Sequence, residues 1–113
     1  MNHETYAMKK EEILSKSNHK EICKSLLTFT QSTLEKEGLK LAFEQTLALT
    51  SHLCAMVERG YEGGEIPEVD PEMFSEVSAL SLELAEKVCK QVPNMVAGEA
   101  YLLSVHFELA QLN

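Results

Sequence analysis

Two histidines, each with a charged residue seven positions away, are the residues of this sequence best suited to chemistry. His52 precedes Arg59 by seven residues, and Glu99 precedes His106 by the same interval. Seven residues make about two turns of an α-helix, so the members of each pair share one side of a helix. A neutral imidazole nitrogen can attack phosphorus, and a guanidinium can offer paired donors to phosphate oxygens. The two pairs predict a site where a histidine accepts a phosphoryl group.

The order of these four residues predicts how their helices pack. If the two helices run antiparallel with His52 opposite His106, then Arg59 lies opposite Glu99. In a parallel arrangement Arg59 would meet His106 instead, and its positive charge would oppose protonation of the imidazole. The antiparallel arrangement is the more favourable one. It requires a connection between the second and third helices that crosses the end of the bundle. The glycine- and glutamate-rich residues 61–69 can supply this connection.

Each histidine also has a purely structural interpretation. His52 borders an apolar stripe and His106 lies inside one, so either ring can be a hydrogen-bonded core side chain. Accessibility distinguishes the two interpretations, because a phosphoacceptor must be reachable by a donor protein and a structural histidine is sealed. His3 and His19 lie in polar surroundings and are expected to be surface residues without a role.

Composition and charge exclude several classes of protein. With 113 residues, 44% hydrophobic and 25% charged, the chain is expected to form one globular domain. Its net charge of -8 and lack of a basic cluster argue against direct nucleic-acid binding. Cys23, Cys54 and Cys89 include no Cys-x-x-Cys pair, so we expect reduced, buried thiols in a cytoplasmic protein. The N-terminus lacks the apolar run of a signal peptide, and no apolar stretch is long enough for membrane insertion.

Apolar residues recur at helical spacing along most of the chain, and no segment alternates as a strand would. The fold class is therefore expected to be all-α, a bundle of four long helices with or without one short extra helix. Residues 1–17 are a polar leader or a short helix, and residues 18–113 form the helical domain. The four long helices are expected at residues 18–38, 39–59, 70–91 and 95–112.

Local signals set these expected boundaries. Asn18 followed by Glu21 resembles a capping box, and Gly38 and Gly60 are expected to end the first and second helices. Asp70 followed by proline is typical of a helix start, which predicts that the third helix begins there. Asn94 is expected to cap the last helix.

The segments LTSHLCAMVERG and EAYLLSVHFELA resemble the two signature segments of the PTS regulation domain, a module of antiterminators and activators governed by the bacterial sugar phosphotransferase system. In that family the first segment carries a histidine followed seven residues later by an arginine, matched here by His52 and Arg59. The second carries a glutamate, an apolar run and a histidine, matched by Glu99 and His106. The resemblance covers roughly residues 18–112.

The resemblance implies a regulatory domain, not an enzyme, in which His52 and His106 are candidate phosphoacceptors. Arg59 would be the phosphate or ion-pair partner, and Glu99 its counter-charge or an orienter of a histidine. The implied donors are the histidine phosphocarrier protein or a sugar-specific IIB component, with no cofactor. The implied output is a change in self-association, most simply of a homodimer, or in partner binding that controls transcription. Residues 1–17 are too few for a nucleic-acid-binding domain, which predicts a stand-alone copy.

Two other classes of protein remain open. The chain could be a helical interaction or dimerisation module whose histidines only specify helix pairing. It could also be a small metal-binding bundle, since His19 and Cys23 share a helix face. No histidine has a glutamate three residues before it, so the paired Glu-x-x-His motifs of di-iron bundles are absent.

Overall fold

Five α-helices and one short 3-10 helix make up the fold, and no strand is present. The structure is a computed structural model that describes all 113 residues. The helices are α1 (His3–Ser15), α2 (Lys20–Lys36), α3 (Phe43–Glu62), the 3-10 helix (Pro71–Phe74), α4 (Ala79–Cys89) and α5 (Ala97–Leu112). The all-α prediction is confirmed. None of the helices combines the length and the apolar character that crossing a membrane requires.

Helix α3 lies at the centre of the packing and contacts α1, α2 and α5. Its inward residues recur at three- and four-residue spacing, which lines them up along one face. Fully buried side chains of α3 and α5 meet there: Leu49, Leu53, Met56, Val57, Leu103 and Phe107. Helix α4 closes the core from the other side by packing on α5 and α2.

The N-terminal segment forms helix α1, which packs against α3. Asn2 caps this helix by accepting a hydrogen bond from the backbone N–H of Thr5 at 2.8 Å. Tyr6 is buried and stacks on Phe43, with ring centroids 4.3 Å apart. Leu14 is buried in the core. Tertiary contacts rather than a strong amphipathic pattern therefore hold α1 in place.

The expected end of the second helix at Gly60 is wrong, because α3 continues to Glu62 and ends at Gly63, whose φ is 86°. Gly60 lies inside the helix, at a point where the segment after α4 packs closely against α3. A Cβ at this position would lie 2.6 Å from the carbonyl oxygen of Pro93 and 2.7 Å from Cγ1 of Val92. The expected stop at Gly38 is confirmed, since Gly38 follows α2 with a φ of 70°.

The expected third helix from Asp70 is also wrong. Asp70 does act as an N-cap, accepting from the backbone N–H of Glu72 at 3.0 Å, but it caps only the 3-10 turn. Helix α4 starts at Ala79 with Ser78 as its N-cap. The backbone N–H of Ser78 donates to Glu108 on α5 at 3.1 Å, so it does not donate to a helical carbonyl. This contact with α5 keeps Ser78 outside the helix, so α4 starts later in the chain than predicted.

Three smaller boundary predictions are wrong as well. Helix α2 has His19 rather than Asn18 as its N-cap, without a side-chain hydrogen bond. Helix α3 begins at Phe43 rather than at residue 39, after an extended segment whose Ala42 N–H donates to Gln45 at 2.9 Å. Asn94 does not cap α5, because Val96 occupies that position.

Candidate functional site

Helices α3 and α5 bring the four predicted site residues together in the expected pairs. His52 Nδ1 lies 3.3 Å from His106 Nε2. Two turns along, Arg59 binds Glu99. From the histidine contact to the ion pair, the residue number rises by seven on α3 and falls by seven on α5. The two helices therefore run antiparallel. The predicted antiparallel register is confirmed.

The ion pair between Arg59 and Glu99 is bidentate and largely buried. Arg59 Nε donates to Glu99 Oε2 at 2.7 Å, and Nη2 donates to Oε1 at 2.7 Å. Glu99 is 2% exposed, and the Arg59 side chain is 23% exposed. The hydrogen bonds to Glu99 raise the pKa of Arg59. The guanidinium is therefore occupied by Glu99 and makes no hydrogen bond to either histidine.

The two imidazoles meet edge to face across the helix interface. Their ring centroids are 5.0 Å apart and their planes are 81° apart. Burial, followed by the charges of His106 and Arg59, lowers the pKa of His52 to about 4. Burial also lowers the pKa of His106. Both rings are therefore neutral at pH 7, which is the form whose nitrogen lone pair can act as a nucleophile.

The histidine pair lies where buried and exposed faces of the helices meet. Leu103 and Phe107, on one side of His106, are fully buried. Val105 and Leu109, on the other side, are 42% and 39% exposed. Both histidine rings are half-buried, so neither is sealed as a whole. One atom is an exception, since Nε2 of His52 is buried and has no hydrogen-bond partner.

Acidification is expected to destabilise the domain through His52. Its pKa is about 4 in the folded protein and 6.5 ordinarily, so the unfolded chain takes up the proton first as the pH falls. The stability that neutral His52 contributes is complete above about pH 6.5 and is lost as the pH falls toward 4. Because the ring is half-buried and water screens its charge, the expected loss is about 1–2 kcal/mol.

Urea unfolding of the native chain and of His52→Gln, near neutral pH and at about pH 4.5, measures this loss. Glutamine does not titrate, so the variant should lose less stability over the same interval. Carboxylates elsewhere titrate equally in both proteins and cancel in the comparison. Equal losses in the two proteins would show that His52 is not held neutral by the fold.

The structure offers little support for other chemistry. All three cysteines are free and buried. Burial raises the pKa of Cys54 and of Cys89 to about 12, so neither supplies a thiolate at neutral pH. His19 pairs through Nε2 with Glu62 at 2.8 Å. No group of three or more histidine, cysteine, aspartate or glutamate side chains is placed to hold a metal ion.

The sequence did not reveal the residues that enclose the ion pair. Asn94 has a φ of 60°, and its Nδ2 donates to the carbonyl oxygen of Gly60 at 2.9 Å, which ties α3 to the α4–α5 turn. A cavity of about 220 Å³ borders the pair and is lined by Arg59, Gly64, Glu65, Ile66, Asn94, Val96 and Glu99. The only features of the sequence at this contact are Gly60 in α3 and the Pro-Asn turn that precedes α5.

Comparison with known proteins identifies the family. The chain is similar to the crystal structure of a PRD-containing transcription regulator from Lactobacillus casei ATCC 334, with a TM-score of 0.89 and 32% sequence identity. The match covers 92% of this chain and 93% of that chain. No protein-family model matches the sequence, and no curated protein matches it. Identity at this level over nearly the whole of both chains shows that this chain belongs to the PTS regulation domain (PRD) family.

Proposed function

We propose that this regulatory domain accepts a phosphoryl group on the His52–His106 pair and changes its association with itself or with a partner in response. The observation that carries the proposal is the contact between two imidazoles, kept neutral by burial, in a half-buried position on α3 and α5. Neutral imidazole is the form that attacks phosphorus, and a half-buried ring leaves room for a donor protein. Membership of the PRD family supports a regulatory role.

Phosphorylation of this pair would alter the packing of α3 against α5. A phosphoryl group adds about −1.5 to −2 charge units. The two ring nitrogens are only 3.3 Å apart, so charge added to either ring acts directly on the interface between the two helices. Packed interfaces respond to such changes by repacking rather than by gradual deformation. The change would reach the surface of α5, where a second copy or another partner can detect it.

The donor in this proposal is the histidine phosphocarrier protein or a IIB component of a sugar phosphotransferase system. The setting is the bacterial cytoplasm, where the three thiols remain reduced. The output is transcriptional control through a homodimer or a partner protein, without direct nucleic-acid contact by this chain. Arg59 and Glu99 hold the two helices in register two helical turns from the acceptor. Competition of the phosphoryl group for Arg59 would couple phosphorylation to that ion pair.

The test is intact-mass spectrometry at neutral to alkaline pH after incubation with the general phosphotransferase proteins and a IIB component. The native chain is expected to gain one acid-labile phosphoryl group. The gain is expected to be lost in His52→Ala, in His106→Ala or in both. His19→Ala is the matched control, because His19 pairs with Glu62 away from the site, and it should remain fully phosphorylated. A native chain that gains no phosphate from any donor would refute the proposal.

The alternative function is a helical interaction module that is never phosphorylated. The sealed Nε2 atom of His52 favours it, since that nitrogen is unreachable from solvent. In that case the oligomeric state measured by analytical ultracentrifugation should be the same with and without donor proteins. Histidine variants should then change stability without changing any phosphorylation signal.

A further inference from the structure

We propose that His106 alone receives the phosphoryl group, through its Nδ1 atom, and that His52 is a positioning residue that binds the opposite nitrogen of the same ring. This inference rests on the proposed function and narrows it from two histidines to one atom.

The state of the four ring nitrogens leads to this assignment. Nε2 of His52 is buried without a partner, so no donor protein can reach it. Nδ1 of His52 and Nε2 of His106 face each other at 3.3 Å, so each blocks the other. The remaining nitrogen, Nδ1 of His106, is neither engaged in that contact nor sealed from solvent. It is therefore the one ring nitrogen of the pair with an open line of approach.

The surface of α5 beside the ring of His106 is exposed on one side. At 3.6 residues per turn, Val105 and Leu109 lie on the same side of His106, and both are partly exposed at 42% and 39%. Leu103 and Phe107 lie on the opposite side and are fully buried. A donor protein can thus approach His106 from the side of Val105 and Leu109. Approach to His52 would require the two rings to separate first.

The contact between the rings gives His52 its positioning role. Nδ1 of His106 carries a free lone pair only when the ring proton sits on Nε2, and in that tautomer Nε2–H donates to Nδ1 of His52. In this arrangement His52 carries its own proton on the sealed Nε2, where the N–H has no acceptor, so the fold bears the cost of one unpartnered buried donor. Donation from His106 is the arrangement that prepares the nucleophile.

The transfer step is balanced with a phosphohistidine donor protein. The Nδ1 lone pair of His106 forms the new N–P bond while the donor's N–P bond breaks. The donor ring, protonated on its other nitrogen, leaves as neutral imidazole. The phosphorylated ring of His106 is then a cation that keeps its proton on Nε2, and the neutral Nδ1 of His52 accepts that proton in a charge-assisted hydrogen bond.

The position of the phosphoryl group on the ring tests the assignment. After phosphorylation by the histidine phosphocarrier protein, alkaline hydrolysis of the native chain releases phosphohistidine, whose Nδ1 and Nε2 isomers can be separated. The expected product is the Nδ1 isomer, located at His106 by tandem mass spectrometry. The Nε2 isomer, or any phosphate on His52, would overturn the assignment while leaving the proposed function standing. Absence of any phosphohistidine, both with the histidine phosphocarrier protein and with a IIB component as donor, would overturn both.

Two substitutions of His52 test its positioning role. In His52→Gln the amide oxygen can still accept from Nε2 of His106, whereas in His52→Leu no acceptor remains. We expect phosphorylation of His106 to be about tenfold to a hundredfold slower in His52→Leu and close to native in His52→Gln. Thermal unfolding of both variants identifies any loss that comes from misfolding. Equal rates in His52→Leu and the native chain would show that His52 does not position the acceptor.

Discussion

Replacing Arg59 with alanine is expected to destabilise the domain by about 3 kcal/mol, because the substitution leaves a buried carboxylate without its partner. Glu99 is 2% exposed, and its two oxygens accept from Arg59 at 2.7 Å each. Removing the guanidinium removes both charge-assisted hydrogen bonds at once. Urea unfolding near neutral pH measures the loss.

The reverse substitution is the matched control. Glu99→Ala should cost less than Arg59→Ala, because the Arg59 side chain is already 23% exposed and can turn toward water. The double variant Arg59→Met/Glu99→Leu should recover most of the stability, since apolar residues of similar volume often replace a buried ion pair at little cost. Equal losses of stability in the two single variants would contradict the view that the burial of Glu99 determines the cost of breaking this ion pair.

Gly60→Ala is expected to destabilise the domain by about 1–3 kcal/mol, although alanine favours helix more than glycine does. The added methyl group would lie 2.6 Å from the carbonyl oxygen of Pro93, a backbone atom that cannot move without shifting the α4–α5 turn. The same shift would strain the 2.9 Å hydrogen bond from Asn94 to the Gly60 carbonyl. Chemical denaturation of the native and variant proteins measures the effect.

Gly98→Ala provides the comparison for this prediction. Its added methyl group would meet Cγ2 of Val69 at 2.9 Å and Cδ1 of Ile66 at 3.1 Å, which are ends of side chains rather than backbone. Both ends can rotate away, and only Cβ of Val69, at 3.2 Å, requires a small shift of the segment that carries it, so the cost should stay below that of Gly60→Ala. A neutral or stabilising effect of Gly60→Ala would contradict the close packing of α3 against the α4–α5 turn.

The pairing of the site residues was predictable because it depends on local periodicity. His52 with Arg59 and Glu99 with His106 each span two turns, and their opposite order along the chain allows one antiparallel register. Once both segments are helical, that register brings all four residues together without further information. The structure shows this arrangement.

The misplaced helix boundaries depend on contacts between residues distant in sequence. Gly60 looks like a helix stop, but the carbonyl of Pro93 explains its presence inside α3. Asp70 has the signals of a helix start, yet Glu108 on α5 holds the N–H of Ser78 and delays α4. Neither contact leaves a local trace in the sequence, so such ends are hard to predict from one chain.

The orientation of the histidine rings was equally beyond the sequence. Spacing placed His52 near His106, but it did not show which nitrogens face each other or that Nε2 of His52 is sealed. These details depend on how side chains of α3 and α5 pack around the rings. They decide whether the pair can accept a phosphoryl group and at which atom.

The central claim, that the His52–His106 pair is a phosphoacceptor, is tested most directly by site-localised tandem mass spectrometry. The native chain is incubated with the phosphotransferase proteins and kept at neutral to alkaline pH, because phosphohistidine is acid-labile. The predicted result is a single phosphoryl group on the peptide that contains His106. A phosphoryl group confined to His3 or His19, or no phosphoryl group under any donor, would contradict the account.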